Sequence, residues 1–416
     1  MRTDFPLGFP DSARKWFWSK LFFCSLQLKI RSAIVAVQHP LTYGDFMRLL
    51  ISAILLFLMT AGCGSTGSPS DIESGSRDII LGVTDTIGVL QGNESQVFGD
   101  VCDVSYSSTG DVLVLDGMSS VVSIFSPGGE FIRSLGGAGE APWEFSWATS
   151  IAPMYSGELL VGDFAGRKIV AFDDTMGFSH TVSDFSRTAP AGIQPLPDGT
   201  YIGMESELWQ DDSGELSGEN SVRRWNTEST EPLATFLASP MFITILDDGL
   251  DVKPASIVFA SSPDGSVYCA VSSDSIFQVF GYDSDGNSIL EISEPWEKVA
   301  RTPEEIEAES TATAMQTDES GGRVQVRIDV DPEPWHNAVE NLCCDSQGRI
   351  WVRLGSEAVP TFRVYDSNGE FLFTASCPEL ESNGRQIRFQ MTHGGIVAWD
   401  TAPEDYPKVY LLEMVQ

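Results

Sequence analysis

From residue 78 onward the chain alternates apolar and polar positions in short runs, broken by glycine, proline, aspartate and asparagine. That period predicts β-strands rather than helices. One pattern recurs: a turn glycine, then an apolar strand. The copies are Gly110-Asp-Val-Leu-Val-Leu-Asp116, Gly157-Glu-Leu-Leu-Val-Gly-Asp163, Gly199-Thr-Tyr-Ile-Gly203, Gly265-Ser-Val-Tyr-Cys-Ala-Val271, Gly348-Arg-Ile-Trp-Val-Arg353 and Gly394-Gly-Ile-Val-Ala-Trp399. The six glycines stand 47, 42, 66, 83 and 46 residues apart. The short spacings fit one four-stranded unit, and the long ones require insertions.

Each glycine follows another short strand, as in 101–107, 255–261 and 339–344. Asp198-Gly199 and Asp264-Gly265 supply the tight turn between the two. A second hairpin follows. Strand 121–125 turns through Pro127-Gly128-Gly129 into 130–135, and strand 361–365 turns through residues 366–369 into 370–374. Strand 276–280 does the same through 283–286, and residues 169–172 begin a looser version. Two hairpins make a four-stranded antiparallel meander. Six of them arranged radially make an all-β, six-bladed β-propeller, in which each sheet buries both faces against its neighbours. After Gly394 only residues 408–414 remain as a strand, so the last blade lacks its outer member. Residues 79–90 can supply it, which would close the ring and cover a free edge.

Phe125-Ser-Pro-Gly-Gly-Glu-Phe131, followed by Leu135-Gly-Gly-Ala-Gly-Glu-Ala-Pro-Trp-Glu-Phe145, resembles the inter-blade link of NHL-type six-bladed propellers among bacterial lipoproteins. Trp143 stands where that link commonly has glycine. The resemblance covers residues 78–416 and implies the fold, but not the function.

The 83-residue interval holds the one predicted helix. Thr302-Pro303-Glu304-Glu305 combines an N-cap, a proline at the first helical position and a glutamate at N3. The pattern carries the helix to about Met315. Residues 317–322 then read as a loop and 324–328 as a strand. In the 66-residue interval, 221–225 and 233–237 read as the outer hairpin of blade three, with polar loops at 211–214 and 217–220.

The N-terminal part reads differently. Arg48 precedes the apolar run 49–59, and Thr60-Ala61-Gly62 precede Cys63. This is the grammar of a signal peptide at 47–62, too short to span a bilayer comfortably. Thr-Ala-Gly-Cys63 resembles the lipobox of bacterial lipoproteins, which implies cleavage before Cys63 and lipidation of its thiol. Residues 1–46 are either an over-called start, with Met47 as initiator, or an unusually long leading segment. Residues 63–77 read as a flexible tether. The expected location is exported and membrane-anchored, in the periplasm or on the outer cell surface.

Charge narrows the function. There are 25 Lys and Arg against 59 Asp and Glu; residues 1–62 hold seven of the bases and three of the acids, leaving 18 against 56. A nucleic-acid partner is not expected from so acidic a chain. The acidity reads as solubility or as recruitment of a cationic partner. Of seven cysteines, Cys24, Cys63, Cys102, Cys269, Cys343, Cys344 and Cys377, no two form a CxxC pair. The adjacent Cys343 and Cys344 are either buried free thiols or a strained vicinal disulfide.

Trp335, His336 and Asn337 stand just before an inner strand, where an aromatic, an imidazole and an amide can meet a ligand at the channel mouth; the plainer reading is a loop anchored by a packed tryptophan. Arg353 ends a repeat strand and can hold an anion or form an ion pair, as can Arg133, Arg167 and Arg363. Asp116 and Asp163 end matching strands and either face the channel or cap turns. Trp143 and Trp147 read as inter-blade packing. No nucleophile elbow, phosphate loop, HExxH or dinucleotide fingerprint is present. No catalytic residue, metal or cofactor is assigned. The expected function is a monomeric, non-enzymatic binding or scaffolding propeller. It would meet a protein, peptide or glycan and touch the membrane through its lipid alone. The alternative is a hydrolase or lyase with a channel metal, using His336, His393 and nearby aspartates.

Overall fold

The computed structural model describes residues 78–416, apart from 211–215, 247–248, 255, 318–322, 330–331, 382–386, 393, 402–404 and 416. The signal peptide, Cys63 and the tether therefore lie outside the described residues, as does His393.

Strand β1 (Ile79–Ile87) comes first among the described residues and last in the ring. Blade one is β2 (Val101–Tyr106), β3 (Val112–Asp116), β4 (Val121–Phe125) and β5 (Phe131–Gly136). Blade two is β6 (Ala148–Pro153), β7 (Leu159–Asp163), β8 (Lys168–Phe172) and β9 (Phe178–Ser183). Blade three has five strands, β10 (Ala191–Pro195), β11 (Tyr201–Gln210), β12 (Leu216–Trp225), β13 (Ala234–Leu246) and β14 (Gly249–Pro254). Blade four is β15 (Ile257–Ser261), β16 (Val267–Val271), β17 (Phe277–Tyr282) and β18 (Ser288–Glu294). An insertion follows: helix α1 (Pro303–Glu309), then the hairpin β19 (Thr311–Thr317) and β20 (Arg323–Asp329). Blade five is β21 (Asn341–Cys344), β22 (Ile350–Arg353), β23 (Thr361–Tyr365) and β24 (Phe371–Ser376). Blade six is β25 (Ile387–Thr392), β26 (Gly395–Asp400) and β27 (Val409–Val415), completed by β1.

The fold is a six-bladed β-propeller of antiparallel meanders. All six glycine-led segments supply the second strand of a blade: β3, β7, β11, β16, β22 and β26. Gly110, Gly157, Gly199, Gly265 and Gly348 take φ between +74° and +95°, a conformation that side chains with a Cβ disfavour. In the sixth copy the left-handed role passes to Gly395, at φ +146°.

The core consists of six clusters, one for each blade interface. Leu113, Leu115, Phe145 and Val161 join blades one and two. Leu160, Phe185, Tyr201 and Trp225 join two and three. Ile202, Val222, Val267 and Cys269 join three and four. Tyr268, Val279, Leu342 and Val352 join four and five. Trp351, Phe362, Phe389 and Leu81 join five and six. Ile87, Trp399, Val104 and Phe125 join six back to one. Burial falls outward: every residue of β3 is buried, whereas β5 is mostly exposed. The second strands therefore read as continuous apolar runs, because both of their faces meet neighbours.

Closure matches the expectation from sequence. β1 pairs with β27 antiparallel from Ile80↔Val415 to Ile87↔Val409. It also touches β24 in parallel at Ile79↔Ala375 and Ile80↔Ser376.

Three expectations need correction. Residues 217–220, expected as a polar loop, lie within β12, which pairs with β11 on one side and β13 on the other. The helix ends at Glu309, not near Met315, and residues 311–317 form β19. The capping box itself is present, with Thr302 and Glu305 exchanging hydrogen bonds. Beyond Ser310 the alternating Thr-Ala-Thr-Ala favours a strand once a partner lies alongside. Trp143 is not inter-blade packing: it is exposed on the rim, edge-on to Phe178 at 6.1 Å. The buried anchor is Phe145, whose ring lies where a Cβ on Gly136 would sit. The two readings left open for the adjacent cysteines are separated in favour of buried thiols: Cys343 faces the interface of blades five and six while Cys344 faces that of four and five. Adjacent residues on opposite faces of a strand do not form a disulfide here, and both are free thiols.

Cys269, Cys343, Cys344 and Cys377 are buried and Cys102 is partly exposed. Burial pushes the thiols of Cys343 and Cys377 up, to about 12 and about 11. Under native conditions a thiol reagent applied to residues 78–416 should modify Cys102 at most. All five should react in denaturant. Rapid native labelling of Cys343 or Cys344, read by mass spectrometry, would contradict this packing.

Candidate functional site

The predicted segment forms the base of the insertion. Its two stems pair as a short antiparallel bridge, Ala300↔Trp335. His336 N–H donates to Val299 O at 3.0 Å, and Arg301 N–H donates to Pro334 O at 3.0 Å. Ala338 N–H then donates to Ser273 O at 2.7 Å, which fastens the returning stem to blade four. Backbone bonds thus fix Trp335, His336 and Asn337 in sequence just ahead of inner strand β21.

The three side chains have different surroundings. Trp335 is 37% exposed, and Lys298 Nζ sits 5.7 Å from its ring centre. Lys298 is itself held by Asp274 Oδ2 at 2.7 Å. His336 is nearly buried, with Nε2 3.4 Å from Glu305 Oε2. Glu305 is also the N3 member of the helix cap. The Thr302 N–H at 2.7 Å and the adjoining imidazole outweigh burial and hold its carboxyl below the usual range. Asn337 Nδ2 donates to Glu340 Oε2 at 2.9 Å.

Arg353 is placed differently from its expected role as an anion holder. It is 7% exposed, and its guanidinium donates to Ile387 O of blade six and stacks over Phe389. Burial lowers its pKa, against the opposing charge of Glu340. Glu340 N–H also donates to Arg353 O at 2.9 Å. Arg353 therefore lies one residue behind Asn337, through Glu340, as a tie between blades and not as an open binding group. The structure gathers Trp335, His336 and Asn337, and places only Trp335 at the surface.

The other candidates resolve into structural roles. Asp116 accepts from the N–H groups of Gly99, Asp100 and Met118. Asp163 accepts from Ser146, Trp147 and Gly166 in the corresponding way. Both are turn caps. Arg133 donates to Thr175 O in the next blade, Arg167 to Phe185 O, and Arg363 pairs with Glu294 across blades five and four. His180 Nε2 lies 3.1 Å from Thr227 O, across a polar cleft of about 390 Å³ between blades two and three. Among the described residues no group of three or more His, Cys, Asp or Glu is placed to hold a metal ion.

Lys298, Asp274, Glu305 and Glu340 complete the site, and sequence reasoning did not assign them to it. Only Glu305 had a signal, through the capping box. Lys298 reaches the segment through the paired stems and Asp274 from blade four, while Glu340 follows Asn337 in the chain.

A family model described as a 6-bladed beta-propeller matches residues 86–216. No curated protein matches the chain. Solved structures similar to it include a Bacteroides fragilis protein named as exported, at 12% identity, covering 81% of this chain and 96% of that one, with a TM-score of 0.47. The virginiamycin B lyase of Staphylococcus aureus is similar at 12% identity, 81% and 100% coverage and a TM-score of 0.40. A gluconolactonase of Xanthomonas campestris is similar at 13% identity, 76% and 87% coverage and a TM-score of 0.36.

Proposed function

We propose that this chain is an exported, lipid-anchored propeller of NHL type that binds a protein, peptide or glycan through the surface around Trp335 and does no chemistry on it. The observation that carries the reading is the exposed indole of Trp335, framed by Lys298 and by the His336–Glu305 pair at the base of the insertion. An aromatic plane beside a fixed cation and a carboxylate suits a ligand with an apolar face and polar edges. The backbone of this segment is paired on both stems, so the surface is held ready before a ligand arrives. Arg353 and Asn337 support it from behind and make no contact with the ligand. The anchor is read from Cys63 and the apolar run before it.

Glycan arrays and peptide libraries probed with residues 78–416 test the binding reading. Trp335→Ala should abolish the specific signal at an unchanged thermal midpoint, because the side chain is partly exposed and leaves no sealed cavity. If both proteins capture the same ligands equally, the site is elsewhere. Cys63→Ser in the full chain should move the protein from the membrane to the soluble fraction. Continued membrane association would remove the lipid anchor from this account.

A further inference from the structure

The inner strands are tied across the blades by polar side chains. Gln194 of blade three donates to Phe259 O and accepts from Ser261 N–H of blade four. Cys343 of blade five lies 3.2 Å from Phe389 O of blade six. Blade one uses a carboxylate. A bulge in β2 between Val101 and Asp103 turns Asp103 toward blade two. There Ile151 N–H of β6 donates to Asp103 Oδ2 at 2.9 Å, and Val104 N–H donates to Oδ1 at 2.9 Å.

This carboxylate differs from three other buried aspartates, Asp116, Asp163 and Asp345. Asp116 and Asp163 each take three backbone N–H groups within their own blade, and Asp345 is paired with Arg349. Asp103 takes two, is 8% exposed, and has no cation within ion-pair distance among the described residues. The corresponding position in blade two is Ser150, opposite Gly162 as Asp103 is opposite Leu115. The Ser150 hydroxyl is buried without a partner.

The groups facing Asp103 are few. Its own strand and the approach to it bring Cys102 and Asp100, whose thiol and carboxyl are 3.5 Å apart. Asp116 closes β3, and Asp400 closes β26. β6 carries no titratable side chain. Among the described residues the cation that acts on it is Arg388 of β25, exposed and reaching it from across the seam between blades six and one.

We propose that Asp103 is a proton-operated tie: neutral in one state and charged in the other, it couples the seams of blades six, one and two to the ambient pH. Neutral, it is a comfortably buried carboxylic acid that still accepts from Ile151. Ionised, it places a negative charge against Ile151 N–H and opposite Arg388. Burial is the largest influence and raises its pKa to about 7, against the two N–H groups and Arg388, which lower it. The ordinary value is 3.8, so the folded state holds the proton more tightly than the unfolded one. The stabilisation is complete below about pH 4 and is lost as pH rises through about 7.

The test compares residues 78–416 with Asp103→Asn and Arg388→Gln. Difference infrared spectra, wild type minus Asp103→Asn, should show a protonated carboxyl that disappears with a midpoint near neutrality. The ratio of the two folding constants should change by up to about tenfold per pH unit between about pH 4 and 7. Arg388→Gln should move the infrared midpoint upward, because the charge favouring the ionised form is gone. A carboxyl band that vanishes near pH 4 overturns the proposal, as do stability curves that stay parallel. If Asp103→Asn does not fold, isotope-edited spectra of the wild type and Arg388→Gln decide the matter alone. An unmoved midpoint in Arg388→Gln would then overturn the coupling to blade six.

Discussion

A chain that begins at Gly92 should not form a stable monomeric propeller. Removing β1 takes Leu81 from the cluster between blades five and six and Ile87 from the cluster between six and one. It also strips the ladder from β27 along Val409–Val415. Burying each aliphatic side chain is worth roughly 2–3 kcal/mol, and each ladder hydrogen bond adds about 1 kcal/mol. The total loss is on the order of 10 kcal/mol, comparable to the whole stability of an ordinary domain. The exposed edge of β27 is then a template for another chain. Size-exclusion chromatography should show aggregates or swapped oligomers, and a synthetic peptide of residues 78–91 added in trans should restore the monomer. A truncated chain that stays monomeric with the parent's thermal midpoint would mean that β1 does not close the ring.

That closure was legible in the sequence because the strand count did not balance. Residues 394–416 offered two strands where a blade needs more, and residues 79–90 offered one with no hairpin partner beside it. The six repeat strands were legible for a local reason, since a glycine at each turn, Gly395 in place of Gly394 in the last, takes a positive φ. The end of α1 was less so. The capping box marks its start, but no glycine or proline marks its stop, and Thr311 to Thr317 takes its conformation from pairing with β20. Tertiary pairing overrode local propensity there.

The candidate site was legible only as a segment. Trp335, His336 and Asn337 are consecutive, so their proximity follows from sequence alone. What makes them a site comes from elsewhere: Glu305 arrives from the cap of α1, and Lys298 from the opposite stem. Arg353 shows the limit most clearly. It closes β22 as Asp116 and Asp163 close β3 and β7, and sequence offers no means of telling an exposed strand end from a buried one. Its burial depends on Phe389 and Ile387 in the next blade. Asp103 had no signal at all, because the bulge that aims it is a property of the β2–β3 pairing.

Trp351→Ala should be the most damaging point substitution of those considered, in contrast to the mild effect of Trp335→Ala. Trp351 is fully buried at the centre of the interface between blades five and six, edge-on to Phe362 at 5.8 Å and to Phe373 at 5.7 Å. Its Nε1 donates to Asp345 Oδ2 at 2.9 Å. Truncation to alanine removes the ring contacts and leaves a cavity between two rigid sheets, which costs about 3–5 kcal/mol. Asp345 keeps Arg349 Nε at 2.6 Å, so the carboxylate is not stranded and the loss is mainly one of packing. Trp351→Phe should therefore recover most of the difference and cost about 1–2 kcal/mol, the worth of one buried hydrogen bond and some volume. Chemical denaturation of the three proteins measures both steps. Equal losses for alanine and phenylalanine would assign the role of Trp351 to its bond with Asp345 and not to the packing of blade on blade.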